Sequence, residues 1–250
     1  MIEIKDLHKS FGDLNVLNGV NMHIDDGQSL VVMGKSGQGK SVLLKLITRL
    51  LFPDQGHIYI DKEDLGSMNS KQLGECRLKF GMLFQSAALF DSLNIQDNVG
   101  IGLRAYNRYS EDQIVAIVKE SLDRVGLIDV GDKFPAQLSG GMRKRVGLAR
   151  VVAMKPKYIL YDEPTTGLDP VTSAQIAKLI KEMQEDLKVT SIIVSHDIPT
   201  GFFLADKVVL LDKGNFSFTG SVQEMRSSEL DSVQAFISGY SEERDLRFRA

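Results

Sequence analysis

The chain of 250 residues is 43% hydrophobic and 25% charged, and this composition excludes a disordered protein. Its 30 basic and 33 acidic side chains leave a net charge of -3, too small to attract nucleic acid or anionic lipid, so we expect no nucleic-acid partner. The apolar runs are far shorter than the ~20 residues that cross a bilayer, and the first residues do not form a secretory signal. We therefore expect a cytoplasmic protein, in which the lone Cys76 is reduced and inert.

The first part of the chain alternates apolar and polar residues in the manner of half-buried antiparallel strands. This pattern covers 2–7 and returns at 20–24, which predicts a β layer. The continuous apolar run 30–33 then predicts a strand buried on both faces. A helical pattern follows, and we expect Pro53 to end that helix by about Phe52.

The second part of the chain alternates between helical patterns and short apolar runs. Apolar residues repeat at helical spacing over 114–125, which predicts a helical subdomain. Three apolar runs predict buried parallel strands at 158–161, 191–194 and 208–211. We predict one α/β domain made of a core with a β subdomain (1–85 and 156–220), a helical subdomain (86–155) and a C-terminal helix and tail (221–250).

Residues 34–41, Gly-Lys-Ser-Gly-Gln-Gly-Lys-Ser, fit the pattern of a phosphate-binding loop between a predicted strand and a predicted helix. Glycines let successive amides curl around phosphate oxygens, Lys40 can reach the β- and γ-phosphates, and the Ser41 hydroxyl can bind Mg²⁺. A glycine-rich turn that matches by accident is the alternative, and the strand-to-helix context argues against it. We predict a nucleoside triphosphate site formed by Gly34, Lys35, Ser36, Gly37, Gln38, Gly39, Lys40 and Ser41.

Residues 158–163, Tyr-Ile-Leu-Tyr-Asp-Glu, form an apolar strand that ends in two carboxylates. Ligands of α/β proteins bind at the carboxyl ends of strands, so we expect both side chains to project toward the ligand. Asp162 would then hold Mg²⁺, and Glu163 would polarise the attacking water as a general base. A simple Asp-Glu-Pro turn is the alternative, and the phosphate-binding loop upstream argues against it.

A third pattern, Leu-Ser-Gly-Gly-Met at 138–142, again places glycines at the start of a predicted helix. It resembles the signature motif of ATP-binding cassette (ABC) ATPases, and the likeness covers nearly the whole chain in the family's order. The matching features are Phe11, the phosphate-binding loop, Gln85, the signature, Asp162 with Glu163, the turn 167–169 and His196. This resemblance implies an α/β P-loop ATPase core of ABC type with an antiparallel β subdomain and an inserted helical subdomain, using ATP and Mg²⁺.

The resemblance also assigns roles to single residues. Two chains would form a head-to-tail homodimer, in which Ser139, Gly140 and Gly141 of one chain contact the ATP held by the other chain's loop. His196 would contact the γ-phosphate and orient Glu163 and the water. The remaining assignments are stacking on adenine for Phe11, a catalytic and Mg²⁺-bridging role for Gln85, and ordering of the dimer seam for Asp169.

Two stretches of the sequence resemble one group within the ABC family more specifically than the general family motifs do. The segment 81–93 and the signature run 138–145 are similar to the ATP-binding subunits of Mla-type phospholipid transporters and of related cassettes serving MCE-domain lipid carriers. Met142, where the family more often has Gln, belongs to this likeness, whereas the Pro usually found just before Leu103 is absent. The likeness implies that an integral-membrane permease docks near Gln85 and holds this chain at the inner face of the bacterial cytoplasmic membrane. It also implies a periplasmic MCE-domain carrier and, as a further option, a STAS-domain regulator.

Three classes of function stay open at this point. They are an ATPase for lipid transport, an ATPase of another ABC importer or exporter, and an ABC ATPase with a regulatory role outside transport. The small and apolar residues 87–90 would either receive the permease or simply pack a core. The charged tail 238–250, with Phe248, would either contact the sister chain or be a frayed terminus.

Overall fold

The computed structural model describes residues 1–247, and Phe248, which motivates the predicted tail contact, lies outside them. In chain order the strands are β1 (Ile2–Phe11), β2 (Leu14–Ile24), β3 (Ser29–Met33), β4 (Gln55–Ile60), β5 (Glu63–Asp64), β6 (Phe80–Leu83), β7 (Tyr158–Asp162), β8 (Thr190–Ser195), β9 (Lys207–Asp212) and β10 (Asn215–Gly220). The helices are α1 (Lys40–Ile47), α2 (Ser70–Arg77), α3 (Ile95–Ala105), α4 (Glu111–Arg124), α5 (Gly140–Ala153), α6 (Pro170–Leu187), α7 (Ile198–Leu204), α8 (Val222–Arg226) and α9 (Asp231–Arg247).

The chain divides into two compact units. The first unit is Met1–Arg77 together with the chain from Lys188, and the second is Leu78–Leu187. The predicted helical subdomain, 86–155, falls inside the second unit, which also takes in β6, β7 and α6. The predicted boundaries between core, helical subdomain and tail stay predictions.

The first unit contains an antiparallel sheet with the strand order β2-β1-β4-β5. In its centre, Ile4 on β1 is the register partner of Met22 on β2 and of Ile58 on β4, and all three side chains are buried. The alternation of apolar and polar residues along the chain therefore places one face of this sheet in a core. The predicted β layer is confirmed.

The same unit contains a second group of strands, in the order β10-β9-β3-β8. Strand β3 runs parallel to β8 on one side and to β9 on the other, and every one of its residues is buried. A strand between two parallel neighbours has both faces covered, which is why its sequence is continuously apolar. The carboxyl ends of β3 and β8 point in one direction, and both lead into candidate site residues.

Helix α1 ends earlier than the sequence predicted. It stops at Ile47, with Thr48 as its C-cap, instead of continuing to about Phe52. Arg49 adopts φ of 52°, its amide donates to the carbonyl of Leu46, and the Leu50 amide donates to the carbonyl of Lys45. These are the two hydrogen bonds of a Schellman motif, which ends a helix without proline.

The second unit combines a parallel strand pair with four helices. Strands β6 and β7 are adjacent, with Leu83 the register partner of Tyr161. Helices α3, α4 and α5 pack on one another, and α5 also contacts β6 and α6. The predicted helical run 114–125 is confirmed as α4. Ser110 and Gln113 form a capping box at the amino terminus of this helix.

No helix within residues 1–247 is both long enough and apolar enough to cross a membrane. Cys76, on α2, is buried and forms no disulfide within the described residues.

Candidate active site

The phosphate-binding loop connects β3 to α1, as predicted. Gly39 precedes the helix with φ of 97°, in the left-handed region that favours glycine. A Cβ at this position would lie 2.5 Å from Cγ1 and 3.2 Å from the carbonyl oxygen of Val16 on β2, too close for a side chain unless Val16 moves. The glycine is therefore required by its backbone conformation and by the approach of β2.

Lys40 is held inside this loop. It is only 5% exposed, and its ammonium group donates to the carbonyl oxygen of Gly34 at 2.7 Å and to that of Lys35 at 3.0 Å. Residues 35–37 are exposed, and Ser41 is half-buried at the start of α1. A buried cation, accessible backbone amides and a helix amino terminus together suit phosphate oxygens.

Gln38 ties the loop to a neighbouring turn. Its side-chain Oε1 accepts a hydrogen bond from the backbone amide of Lys213 at 2.8 Å, in the turn between β9 and β10. This contact fixes the middle of the loop, so the loop loses less conformational entropy when a ligand binds.

His196 lies beside the beginning of the loop. It follows β8 directly and is half-buried. Met33 and Ser195 are register partners on the parallel strands β3 and β8. The next residues, Gly34 and His196, therefore leave the sheet at the same edge, where the sequence predicted a γ-phosphate contact for this histidine.

Phe11 offers an exposed aromatic ring on the first unit. It is the last residue of β1, pairs with Leu14 across the hairpin turn, and is 47% exposed. The ammonium group of Lys9 lies 5.2 Å from the centroid of the ring. An exposed ring with a neighbouring cation can stack on a planar base, which agrees with the predicted adenine contact.

The other catalytic candidates lie at the carboxyl edge of the β6 and β7 pair, in the second unit. Asp162 ends β7 and is 9% exposed, and Glu163 is the next residue. Gln85 comes two residues after the end of β6 and is exposed. Since β6 and β7 are parallel neighbours, their carboxyl ends bring Gln85 to the same edge as Asp162 and Glu163, for which the sequence predicted this position.

Glu163 has an unusual backbone conformation and is held by several hydrogen bonds. Its φ is 49°, a left-handed value that costs a non-glycine residue energy. The Thr166 hydroxyl donates to Glu163 Oε2 at 3.1 Å, and the Thr166 amide donates to the Glu163 carbonyl at 3.3 Å. The Lys144 ammonium donates to the same carbonyl at 3.4 Å. Both the backbone and the carboxylate of Glu163 are therefore fixed by neighbouring residues of the second unit.

The signature residues form the amino terminus of α5. The Ser139 hydroxyl oxygen caps the helix by accepting from the Met142 amide at 3.3 Å, and Ser139 is exposed. A Cβ on Gly141 would lie 2.5 Å from Cγ2 of Thr172 on α6, so a larger residue there would displace the Thr172 side chain. Gly140 lies between them as the first residue of α5. The result is an accessible helix start that suits an anion, as the sequence predicted.

Asp169 is exposed just before α6 and accepts a hydrogen bond from the Thr172 amide at 2.9 Å. Hydrogen bonds from Thr172 hold the pKa of the Asp169 carboxyl below its usual value, so this group is ionised at neutral pH. The Asp169 carboxylate thus caps the amino terminus of α6. Thr172 of the same helix lies next to Gly141 of the signature.

The loop after Gln85 is fixed by a half-buried arginine. Ala87 and Ala88 have φ of 62° and 46°, both left-handed. Arg150 on α5 donates to the carbonyl of Ala87 at 2.7 Å and to that of Ala88 at 2.8 Å. Two parallel bonds from one planar guanidinium hold two successive strained residues, which we call the Arg150 clamp.

Asn98 fixes the next part of the same loop. Its side chain is fully buried, with Oδ1 accepting from the Phe90 amide at 2.8 Å. Its Nδ2 donates to the carbonyls of Phe90, Leu93 and Asn94, each at 3.0 Å. Phe90 is 51% exposed, on a loop whose backbone is held by these hydrogen bonds.

The predicted metal ligands have the chemistry that Mg²⁺ requires. Ser41, Gln85 and Asp162 offer a hydroxyl, an amide and a carboxylate oxygen, and Mg²⁺ prefers oxygen ligands completed by water and substrate phosphates. Among the described residues no group of three or more His, Cys, Asp or Glu side chains could hold a metal. Each of these oxygen donors, taken by itself, suits Mg²⁺ that enters with its nucleotide.

The loop, the strand-to-helix context and the parallel strands define a P-loop nucleotide-binding protein. Residues 17–166 match the family model described as "ABC transporter". The chain is 39% identical over 98% of its length to "Probable ribonucleotide transport ATP-binding protein mkl" of Mycobacterium leprae, covering 72% of that protein. It is 38% identical over 97% of its length to "Intermembrane phospholipid transport system ATP-binding protein MlaF" of Haemophilus influenzae, covering 92% of that protein.

Solved structures of ATP-binding cassettes show the same fold. One is the dimeric structure of a post-hydrolysis state of the cassette MJ0796 bound to ADP and Pi, which superposes with a TM-score of 0.81 at 31% identity. The match covers 89% of this chain and 99% of that one. This chain belongs to the ABC transporter family. It is an ATP-hydrolysing, nucleotide-binding subunit with ATP and Mg²⁺ as its cofactors, and the predicted fold class is confirmed.

Four residues in the neighbourhood of the predicted site were missed by sequence reasoning: Lys144, Thr166, Arg150 and Asn98. Lys144 did carry a signal. It stands four residues before Leu148 and seven before Val151, on the buried face of α5, where a charged residue is unexpected. The other three show nothing in the sequence that separates them from ordinary polar residues.

Proposed function

We propose that this chain is the ATP-hydrolysing subunit of a phospholipid transporter, attached through an integral-membrane permease to the cytoplasmic face of a bacterial membrane. The similarity to MlaF over nearly the full length of both chains carries the proposal, because it leaves little of either protein unmatched. Met142 in the signature supports it, because this residue is part of the resemblance to Mla-type subunits. A periplasmic MCE-domain carrier and a STAS-domain regulator are the further partners proposed.

The residues of the first unit bind the nucleotide in this proposal. Lys40 exchanges its bonds to the loop carbonyls for the β- and γ-phosphates, and the exposed amides of 35–37 donate to phosphate oxygens. Phe11 stacks on the adenine, and Ser41 is a ligand of Mg²⁺, which neutralises charge on the phosphates when bound. His196 contacts the γ-phosphate from the end of β8.

The residues of the second unit serve hydrolysis and dimerisation. Asp162 binds Mg²⁺, and Gln85 contacts the ion or its water. Glu163 accepts a proton from the attacking water, because its carboxylate is held in one orientation by Thr166. Ser139 and its two following glycines donate to the γ-phosphate of a nucleotide bound by a second copy of the chain, and Asp169 orders the seam between the copies.

The rigid loop around Phe90 is the proposed permease contact. It presents an exposed aromatic ring, and the Arg150 clamp and Asn98 hold its backbone. Because the loop is held in one conformation, a displacement of Gln85 is transmitted to the docked permease more directly than it would be through a flexible loop. The small net charge of the chain fits attachment through such a shaped surface rather than through a basic patch.

Transport of another substrate is the second candidate. The similarity to the mycobacterial protein described as a ribonucleotide transport ATP-binding protein favours it, at an identity close to that of MlaF. Both candidates use the same hydrolysis site, so residues of this chain do not separate them. The cargo is decided by the permease and has to be measured on the complex.

The test is purification of the chain from its own membranes with its partners, followed by mass spectrometry of bound lipid. The complex is then placed in vesicles, and ATP-dependent movement of a labelled phospholipid and of a labelled ribonucleotide is measured side by side. We expect movement of phospholipid alone, and the Glu163→Gln complex should move neither. Movement of the ribonucleotide alone would overturn the phospholipid proposal, and recovery of the chain without any membrane protein would overturn transport itself.

A further inference from the structure

Two buried lysines stand out in the described residues. Within residues 1–239, three charged side chains are buried: Lys40, Lys144 and Asp162. Two of them belong to the proposed nucleotide site, and Lys144 is 4% exposed, slightly less than Lys40. Burying an ammonium group is costly unless it is paired and hydrogen-bonded, so a buried lysine needs an explanation.

Two influences act on the ionisation of Lys144 in opposite directions. Burial lowers the pKa of the Lys144 ammonium to about 8, while the nearby carboxylates of Asp162 and Glu163 act to raise it. Lys144 thus lies within electrostatic range of the two carboxylates that end β7.

The hydrogen bond that Lys144 makes is to the backbone of Glu163. Its ammonium group donates to the Glu163 carbonyl at 3.4 Å, which the Thr166 amide also contacts at 3.3 Å. The carbonyl belongs to a residue whose φ of 49° has to be stabilised by its neighbours. A rotation of this peptide would turn the Glu163 carboxylate away from its orientation against Thr166.

We propose that Lys144 is a positioning residue for hydrolysis, which fixes the backbone of Glu163 from the signature helix. This inference rests on the proposed role of Glu163 as general base. Lys144 lies five residues after Ser139 on the same helix, so one rigid element carries both the signature and the support of the general base. The effect of Lys144 is on turnover and not on the affinity for ATP.

The experiment compares the steady-state ATPase parameters of the full chain with those of Lys144→Met, Lys144→Gln and Lys144→Arg. We expect Lys144→Met and Lys144→Gln to lower kcat by about 10- to 100-fold, the range for one lost charged hydrogen bond, with KM for MgATP within about twofold. Lys144→Arg keeps the charge and a donor, and it should restore kcat to within about threefold of the wild type. Lys178→Met is the matched control, because Lys178 is exposed on α6 in the same unit, and its kcat should be unchanged.

Glu163→Gln in the same series separates the two proposals. If Glu163→Gln loses hydrolysis while a folded Lys144→Met or Lys144→Gln turns over like the wild type, the inference on Lys144 is wrong and the role of Glu163 stands. If Glu163→Gln retains hydrolysis, the proposed role of Glu163 is wrong, and the inference fails with it. A loss of MgATP binding in Lys144→Gln that matches its loss of turnover, with its melting temperature unchanged, would also overturn a positioning role.

Discussion

Lys40 shows how a single residue of the loop is prepared for its ligand. Its ammonium group lies among the carbonyls of Gly34 and Lys35, already desolvated and directed into the turn. The cation therefore pays little additional desolvation when phosphate oxygens replace one of these carbonyls. The residue contributes to binding chiefly as a preorganised charge.

We expect Lys40→Ala to weaken MgATP binding by at least about tenfold, since a charge-assisted hydrogen bond to phosphate is lost. Isothermal titration calorimetry on the purified chain measures this. Lys45→Ala is the control, because Lys45 is exposed on the same helix, and its dissociation constant should equal that of the wild type. Equal dissociation constants for Lys40→Ala and Lys45→Ala would remove Lys40 from its proposed role.

Glu163 illustrates a constraint that belongs to the backbone rather than to the side chain. Its left-handed φ would be less strained in a glycine, yet the proposed chemistry needs a carboxylate at this position. The bonds from Thr166 and Lys144 to Glu163 stabilise that conformation. The strain is thus a consequence of placing a general base directly after a buried strand.

At the scale of elements, α5 connects several features. It begins at the signature, contacts Glu163 through Lys144, and holds the loop after Gln85 through Arg150. A helix is stiff along its length, so a displacement at its first turn reaches the Arg150 clamp. This element is the physical link between the proposed nucleotide contact and the proposed permease contact.

We predict that Arg150→Met lowers the free energy of unfolding by about 1–3 kcal/mol, because two carbonyls on left-handed residues lose their donor. Urea denaturation measures this change, and amide hydrogen exchange over 85–90 should become faster. Arg124→Met is the control, since Arg124 pairs with Glu120 on an exposed face of α4 and should change stability little. Unchanged exchange over 85–90 in Arg150→Met would show that the clamp does not hold this loop.

The sequence predicted elements best where the signal is local. The loop at 34–41 and the buried strands around it carry their pattern within a few residues, and the structure places them as expected. The end of α1 was placed too late, because the Schellman motif at Arg49 uses an arginine where glycine would have signalled the stop. The Arg150 clamp joins residues 62 and 63 positions apart, and such long-range contacts leave no mark in a single sequence.

For the candidate site, too, local motifs were predicted and long-range contacts were not. Residues that contact the nucleotide or the water in the proposal were predicted, because each belongs to a short motif with its own chemistry. The residues that support them, Lys144 and Thr166, were not, since their roles depend on where the chain returns after folding. Only Lys144, a charge on a buried helix face, could have been found in advance.

At the scale of the whole molecule, the central claim is that two copies of this chain enclose ATP between the loop of one and the signature of the other. The exposure of Ser139 and the dimeric cassette among the similar structures support this claim. ATP binding would close the pair and hydrolysis at Glu163 would reopen it. The chain would then drive a permease through changes in its own oligomeric state.

The most direct test is light scattering coupled to size-exclusion chromatography of Glu163→Gln with and without saturating MgATP. Binding is retained in this variant while removal of the general base slows turnover by about 10²- to 10⁴-fold, so the closed state should accumulate. We predict a species of twice the monomer mass with MgATP and its loss when Ser139→Arg is added, with ATP still bound. A monomer at saturating MgATP, with binding confirmed by calorimetry, would contradict the account.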